Sequence, residues 1–335
     1  VDFTVPQQAD MPNAKAVWDV YAVDGVHTRF VSPYTLALVP SMNNAIFAPG
    51  WQMLHNPWPE YPATVAQVFG ADSSAYTMDA DGNWTPAADF VFDSPIWVNP
   101  ADVSFFGSAM PLQGMEYSVD LQDGWNLVGN PHLCVYELEN LRFMVNGNVY
   151  RFGEMVNQGL VSNAVFTFKE GRYQLAERIE PFEAFYIKYY GSDQLVSQIN
   201  FLPYWESYDV TPPMAQSSID LLATTDGGVD WVRVGTHEYI DTEVGFKLNL
   251  PKAPKPPFEM PRLSVIYPVP LAKTTQEYHS FYKNPMIISD EIEEHVYYDL
   301  ILELDNTDPV TFSWGENSLP EDWQVAFFIG DQEYY

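Results

Sequence analysis

The sequence predicts an all-β fold, made mainly of tandem β-sandwich-like modules with a few short helices. Aromatic residues make up 16% of the 335 residues, and the 27 prolines outnumber the 19 glycines. That composition favours short strands separated by turns. Many short segments alternate apolar and polar residues between turn residues, and no long amphipathic pattern of helical period accompanies them.

The first elements follow this pattern in order. The run AKAVWDVYAVDG alternates until Asp24-Gly25, which predicts a hairpin. The segment PATVAQVFG (62–70) has a proline near its start and a glycine at its end, which predicts a short helix. The segment SAYTMDADGNWTPA predicts a second hairpin, which turns at Asp81-Gly82.

One motif occurs twice. GWQMLHNPW spans residues 50–58, and GWNLVGNPH spans residues 124–132, which is 74 positions later. Downstream, Tyr76–Met78 match Phe166–Phe168 at an offset of 90 positions. These parallels indicate an internal repeat whose second copy carries an insertion of about 15 residues. The insertion falls on ELENLRFMVNG and YRFGEMVNQG, which we predict to be helical.

The repeated motif is open to a ligand-binding and a structural interpretation. Gly129 suggests a glycine turn that cradles phosphate, but the first copy has His55 at that position. The shared residues are Gly, Trp, two apolar residues and Asn-Pro, a pattern typical of a strand with its entrance and exit. We therefore predict a core-forming strand in each copy, with function on the loops that differ.

The chain divides into three predicted modules. Residues 1–112 form an N-terminal β module with the first motif copy, and residues 113–208 form a second β module with the helical insertion. Residues 209–335 form a C-terminal β-sandwich module, introduced by the linker-like segment ESYDVTPPMAQSS. Six strand-like runs and the proline-rich segment PKAPKPPFEMP occupy this last module.

Parts of the chain resemble a known group of proteins. The paired GW motifs, followed by an aromatic strand behind a proline as in PFEAFYI (181–187), are similar to a repeated β module of large secreted bacterial surface proteins, often type IX secretion substrates. The segments DTEVGFKLNLPKAPKPPFEMPRLSVIYP and PVTFSWGENSLPEDWQVAFFIGDQEYY resemble C-terminal parts of that group, although Lys247 replaces a usual acidic residue. The resemblance implies fold, secretion and a cell-surface location, and it implies no activity.

Charge and apolar patterning exclude some partners. The chain has 45 acidic and 15 basic residues, a net charge of −30 at pH 7. Such a surface repels phosphate backbones and anionic lipids, so we expect no nucleic acid partner. We also expect no membrane insertion, because no apolar run approaches the ~20 residues of a membrane span. The single cysteine excludes an internal disulfide. We expect an extracellular protein at the cell surface.

Sequence signatures of catalysis are missing. The chain contains no G-x-S-x-G, H-E-x-x-H, P-loop or dinucleotide motif, and its six histidines show no metal-ligand spacing. We therefore expect a protein that is not an enzyme and that uses no cofactor, with calcium as the one ion to consider.

The segment DADGN resembles the start of a calcium loop. Asp79, Asp81 and Asn83 place oxygen ligands at alternate positions, which suits a hard cation. The twelfth position, where a bidentate glutamate is expected, is Phe90. The alternative interpretation is a plain hairpin turn.

Two further sets of residues bear on binding and assembly. Trp58 and Trp84 fall in loop-like segments and are the candidates for stacking on sugar rings. Val1, Phe3 and Val5 alternate with polar residues in an assembly arm that is suited to adding a strand to a neighbour's sheet. The sequence thus predicts a structural subunit that self-associates into a filament, sheath or surface layer. The alternative is a carbohydrate-binding or adhesive module with glycan partners.

Overall fold

The computed structural model describes the chain in separate stretches. They are residues 15–16, 20–22, 28–30, 36–37, 44–59, 62–79, 82–107, 117–132, 135–191, 197–201, 217–236, 249–269, 274–278, 280–283, 287–288, 291–292, 298–305, 309–319, 325–329 and 332–334. The chain forms two compact units, residues 1–211 and 212–335. Both GW motifs belong to the first unit, and the division into modules 1–112, 113–208 and 209–335 stays a prediction.

Short antiparallel strands make up the first unit. They are β1 (Lys15–Ala16), β2 (Val20–Ala22), β3 (Thr28–Phe30), β4 (Leu36–Ala37), β5 (Asn44–Phe47), β6 (Gln52–Leu54), β7 (Ala63–Thr64), β8 (Ser74–Met78), β9 (Trp84–Pro86), β10 (Asp89–Phe90), β11 (Ile96–Asn99), β12 (Ser104–Gly107), β13 (Tyr117–Leu121), β14 (Gly124–Gly129), β15 (Tyr136–Glu137), β16 (Arg142–Val145), β17 (Asn148–Arg151), β18 (Val161–Lys169), β19 (Arg172–Leu175), β20 (Arg178–Ile179), β21 (Ala184–Tyr189) and β22 (Ser197–Phe201). The helices are α1 (Val65–Phe69) and α2 (Phe152–Asn157), with a 3-10 turn at Leu138–Asn140. Strands β2 and β3 pair antiparallel, as predicted around Asp24-Gly25.

The two motif copies form sheets with the same strand order. The first copy gives β6-β11-β8-β9, and the second gives β14-β21-β18-β19. The ribbon β10–β7 of the first copy likewise corresponds to β20–β15, and β12–β5 corresponds to β22–β13. The internal repeat seen in the sequence therefore extends to the topology.

The register of the strands is also the same in both copies. Trp97 of β11 lies opposite Met53 of β6 and Tyr76 of β8. Its counterpart in the second copy, Tyr186 of β21, lies opposite the counterparts of both residues. Because a slip of one residue would turn the apolar side of a strand toward solvent, the shared register means that both copies bury the same face.

The prediction of a helical insertion is wrong for its first part. The segment ELENLRFMVNG forms the 3-10 turn and then β16, which pairs with β17 across a two-residue turn. Asn146 and Gly147 have φ values of 50° and 76°, which are the positive values that a type I′ hairpin turn requires. The Asn-Gly pair is the hairpin signal that outweighs the helical pattern.

The other two predicted helices are confirmed as α1 and α2. Both begin alike, because the backbone N–H of the preceding residue donates to a side chain three positions later. Thr64 donates to Gln67 at 2.9 Å, and Arg151 donates to Glu154 at 2.7 Å. This shared start places the insertion before the second helix and leaves the helix itself common to both copies.

An aromatic core lies beneath the first motif copy. Its large residues are Phe47, Trp58, Phe69, Phe90, Phe106 and Phe182. The Trp58 ring meets Phe106 and Phe182 edge to face, at 5.1 Å between centroids in each case. Because Phe182 belongs to the second copy, the two copies share this core.

The second unit is a sandwich-like pair of sheets. Its strands are β23 (Ser217–Thr225), β24 (Gly228–Thr236), β25 (Arg262–Val269), β26 (Thr274–Tyr278), β27 (Ser280–Lys283), β28 (Ile287–Ile288), β29 (Glu291–Ile292), β30 (Asp299–Glu303), β31 (Thr311–Asn317), β32 (Phe327–Ile329) and β33 (Gln332–Tyr334). The sheets β27-β24-β23-β31 and β26-β25-β30 enclose Leu221, Ala223, Val232, Leu263 and Val265. The predicted all-β fold class is confirmed.

Candidate functional site

Each GW motif opens with a glycine and an amide clamp. Gly50 and Gly124 have φ values of 113° and 94°, a region that residues with a side chain rarely adopt. The amide of Gln52 donates to the carbonyl oxygen four residues earlier at 2.6 Å, and the amide of Asn126 does the same at 2.8 Å. This shared clamp at the strand entrance explains why the third motif position is Gln or Asn.

The asparagines that follow the two motif strands are buried, and their side chains hydrogen-bond to backbone groups. Asn56 Oδ1 accepts the N–H of residue 58 at 3.0 Å, and Asn130 Oδ1 accepts that of residue 132 at 2.9 Å. The Asn56 amide also donates to the Phe90 carbonyl at 2.9 Å, and the Asn130 amide donates to the Glu180 carbonyl at 3.0 Å. Both asparagines therefore join the motif to the short ribbon of their own copy.

The two motif copies meet at His55 and Gly129, which are equivalent positions. The His55 N–H donates to Phe182 O at 2.8 Å, and the Asn130 N–H donates to Glu183 O at 2.9 Å. A β-carbon at position 129 would lie 2.5 Å from the His55 Cβ. Only one of the two positions can therefore carry a side chain, and Gly129 is required by packing against His55 rather than by a ligand.

The His55 ring is 2% exposed and faces two backbone carbonyl oxygens. Its Nδ1 lies 2.8 Å from Asn130 O, and its Nε2 faces Phe92 O. Burial lowers the pKa of His55 to about 4, although the two carbonyls and Asp93 act in the opposite direction. A neutral imidazole has one N–H to donate and a protonated ring has two. The two carbonyls therefore favour the protonated ring, but the cost of burying its charge is larger, so the fold keeps His55 neutral as a buried structural histidine.

The central strands of the two copies meet at Trp97 and Tyr186, which are also equivalent positions. Trp97 Nε1 donates to Tyr186 Oη at 3.1 Å, and both side chains are fully buried. The Trp97 ring also packs on Phe168, at 4.8 Å between centroids. Burial raises the pKa of Tyr186, so its hydroxyl stays neutral and acts as a structural hydrogen-bonding group.

One buried carboxylate lies at the same junction. Glu183 Oε1 is 2.9 Å from Lys169 Nζ, and Glu183 Oε2 accepts the Glu180 N–H at 2.8 Å. Burial raises the pKa of Glu183, although these two partners oppose the rise. Perturbed carboxylates are common in active sites. Both oxygens of this one are engaged by residues of the second copy, which indicates a structural role.

The second unit contains a buried ion pair. Lys252, within PKAPKPPFEMP, places Nζ 2.7 Å from Asp230 Oδ2, and each side chain is 2% exposed. Asp230 Oδ2 also accepts the Leu263 N–H at 2.8 Å, and Lys252 Nζ donates to Trp231 O at 3.3 Å. Burial lowers the pKa of Lys252, and Asp230 opposes that change. The pair attaches the proline-rich segment to the sandwich core.

The predicted calcium ligands form a hairpin turn as far as they are described. Asp79 Oδ1 accepts the Asn83 N–H at 2.8 Å, and the Asp79 N–H donates to Asn83 O at 2.9 Å. Asp81 lies outside the described residues. The turn joins the paired strands β8 and β9, which confirms the predicted hairpin, and calcium binding at this turn stays a prediction. Within the described stretches, no group of three or more His, Cys, Asp or Glu residues could hold a metal ion.

The two predicted sugar-stacking tryptophans differ in exposure. Trp58 is 3% exposed in the aromatic core, so its prediction as a sugar platform is wrong. Trp84 is half-buried, and its ring stands perpendicular to Trp97 at 6.5 Å. Its counterpart in the second copy, Tyr173, is 2% exposed, which indicates that this position packs against the sheet.

Among the described residues, most of the exposed large apolar side chains lie on or beside edge strands, and sequence reasoning missed them. The assembly arm residues Val1, Phe3 and Val5 lie outside the described residues. The exposed set is Ile46, Val103, Val149, Ile301, Leu304, Trp314, Phe328 and Ile329. Ile46 lies on β5 and Val103 directly precedes β12, and they are 67% and 55% exposed. Exposed apolar groups on strand edges are typical of interaction surfaces.

Comparisons with known proteins found no relative from which a function could be inferred. No protein family, curated protein or solved structure matches the chain. In the part of the chain that the structure describes, no helix is long and apolar enough to cross a membrane.

Proposed function

We propose that this chain is an extracellular structural protein, a non-catalytic subunit that self-associates into a filament, sheath or surface layer. The observation that carries the proposal is the placement of exposed large apolar side chains on or beside strand edges in both units. Ile46 on β5 is 67% exposed, and Trp314 on β31 is 40% exposed. Such edges offer unpaired backbone groups and apolar contacts to another chain.

The polar groups of the GW motifs support the same proposal. Asn56 and Asn130 hydrogen-bond to backbone groups, His55 and Gly129 form the junction between copies, and Glu183 is engaged on both oxygens. These are the residue types that could have formed a reactive site, and each has a packing role. What is left for interaction is the surface, and most of the large apolar side chains exposed in the described stretches lie on or beside edge strands.

The cell-surface location is part of the proposal. It rests on the resemblance of the GW segments and the C-terminal segments to secreted bacterial surface proteins. The alternative, a carbohydrate-binding or adhesive module, retains only Trp84 of its two predicted stacking residues. Surface proteolysis of intact cells tests the location, because a surface subunit is cleaved there and an internal protein is protected.

Electron microscopy and sedimentation velocity of the full chain test self-association. We expect ordered polymers that grow with protein concentration. A protein that stays monomeric at every concentration and ionic strength would contradict the proposal. Binding to a glycan array by such a monomer, lost on Trp84→Ala, would instead support the carbohydrate-binding alternative.

A further inference from the structure

The second motif copy contains a strand pairing that has no counterpart among the described strands of the first copy. Strand β22 pairs with β13 along one edge and with β16 along the other. The corresponding strand of the first copy, β12, pairs with β5 along one edge. No described strand pairs with its second edge. The second edge of β12 therefore corresponds to the edge of β22 with which β16 pairs in the second copy.

The register fixes which residues correspond. Ser104 of β12 lies opposite Phe47, and Ser197 of β22 lies opposite Leu121. Leu121 follows Phe47 by 74 positions, which is the offset between the two motif copies. By this correspondence Phe106 matches Ile199, the residue that lies opposite Phe143 of β16. A strand added to β12 in the same way would place its central residue opposite Phe106.

The residues around the second edge of β12 suit an apolar strand. Phe106 is 5% exposed and packs on Trp58 and Phe90, at 5.1 and 5.2 Å between centroids. Ser104 Oγ is buried and has no hydrogen-bond partner among the described residues. An added strand would extend this aromatic layer and cover more of its edge.

One segment of the chain matches the strand that fills the equivalent site. Residues 141–145 read LRFMV, and Leu141, Phe143 and Val145 are buried at 0%, 0% and 5% exposure. Residues 1–5 read VDFTV. Both segments have apolar residues at the first, third and fifth positions, with phenylalanine in the centre and valine at the end. This alternation suits a strand that buries one face.

We propose that the second edge of β12 accepts residues 1–5 of a neighbouring copy as an added antiparallel strand, with Phe3 opposite Phe106. The inference rests on the proposed self-association, for which it names the donor segment and the acceptor edge. Each copy provides one donor and one acceptor, so the contact is head-to-tail. A contact of this type builds an open filament unless its rotation closes a ring.

Cysteine cross-linking tests the contact directly. Thr4→Cys and Phe105→Cys, each combined with Cys134→Ser, place thiols at positions that lie opposite each other when the β16 register is transferred to β12. We expect a mixture of the two proteins to form a disulfide between positions 4 and 105 under mild oxidation, identified by mass spectrometry of the linked peptide. The matched control is Val149→Cys, which is 59% exposed on β17 and is expected to give no link to position 4.

A second pair of variants tests the donor segment. We expect Phe3→Asp to abolish both the polymers and the link, because it would bury a charge opposite Phe106. Asp2→Asn changes the opposite face of the added strand and is expected to leave both intact.

The outcomes separate this inference from the proposed function. Polymers that form without a link between positions 4 and 105 would overturn the inference and leave self-association standing. If the unaltered protein forms no polymers and the mixed cysteine variants give no link, both are overturned. A third protein carries Thr4→Cys, Phe105→Cys and Cys134→Ser in one chain. A link that forms within this protein and not in the mixture of single variants would overturn donation between copies.

Discussion

At the scale of single residues, His55 makes stability depend on pH. Its pKa is about 4 in the folded protein and returns to the ordinary 6.5 on unfolding. The unfolded chain therefore binds more protons between these two values, so acid favours unfolding. We expect the free energy of unfolding to fall by about 3 kcal/mol from this residue as the pH drops from about 6.5 to about 4, with the full stability present above that range.

Urea unfolding of the protein and of His55→Gln, at about pH 7 and about pH 4.5, measures this contribution. The 45 acidic residues also titrate in this range, and they do so in both proteins. The difference between the two pH dependences therefore isolates His55. Equal pH dependences would show that burial does not lower the pKa of His55.

Gly129 gives a second residue-scale prediction, because its missing β-carbon leaves room for His55. We expect Gly129→Ala to destabilise the protein by about 1–3 kcal/mol, since the new methyl group meets a buried ring. Gly153→Ala is the matched control, since nothing lies within 4 Å of a β-carbon there. In helix α2 it is expected to stabilise by up to ~1 kcal/mol. Recovery of Gly129→Ala by His55→Ala in thermal unfolding would confirm the contact, and additive losses would contradict it.

At the scale of elements, Lys252 attaches the proline-rich segment to the sandwich. Lys252→Met would leave the Asp230 carboxylate buried without its cation, and we expect a loss of about 3–5 kcal/mol. Lys255→Met is the control, because the Lys255–Asp305 pair is 46% and 28% exposed. Its loss is expected to stay below about 1 kcal/mol. Similar losses in urea unfolding of the two variants would contradict the role given to Lys252.

Sequence patterns predicted the elements whose signals are local. The turn glycines and the capped helix α1 are set by residues close together in the chain, and the GW strands follow from their own alternation. The hairpin β16–β17 was missed because a helical interpretation was given to a segment that ends in Asn146-Gly147. The pairing of His55 with Gly129 could not be predicted, because the two residues lie 74 positions apart and it is the contact between the copies that excludes a second side chain. Trp58 failed as a sugar platform for a similar reason, since its burial depends on Phe182 of the other copy.

At the scale of the whole molecule, self-association must overcome a net charge of −30 on every copy. Like-charged surfaces repel over about 10 Å at 0.1 M salt and over about 30 Å at 0.01 M. Contacts between apolar strand edges are strengthened or left unchanged by added salt, whereas the repulsion is screened. We therefore expect polymers to form at lower protein concentration as sodium chloride is raised. Light scattering at a series of salt concentrations measures this threshold, and Phe3→Asp is the control in which no salt concentration restores polymers. A threshold that rises with salt would mean that attraction between opposite charges, rather than pairing of apolar strand edges, holds the copies together.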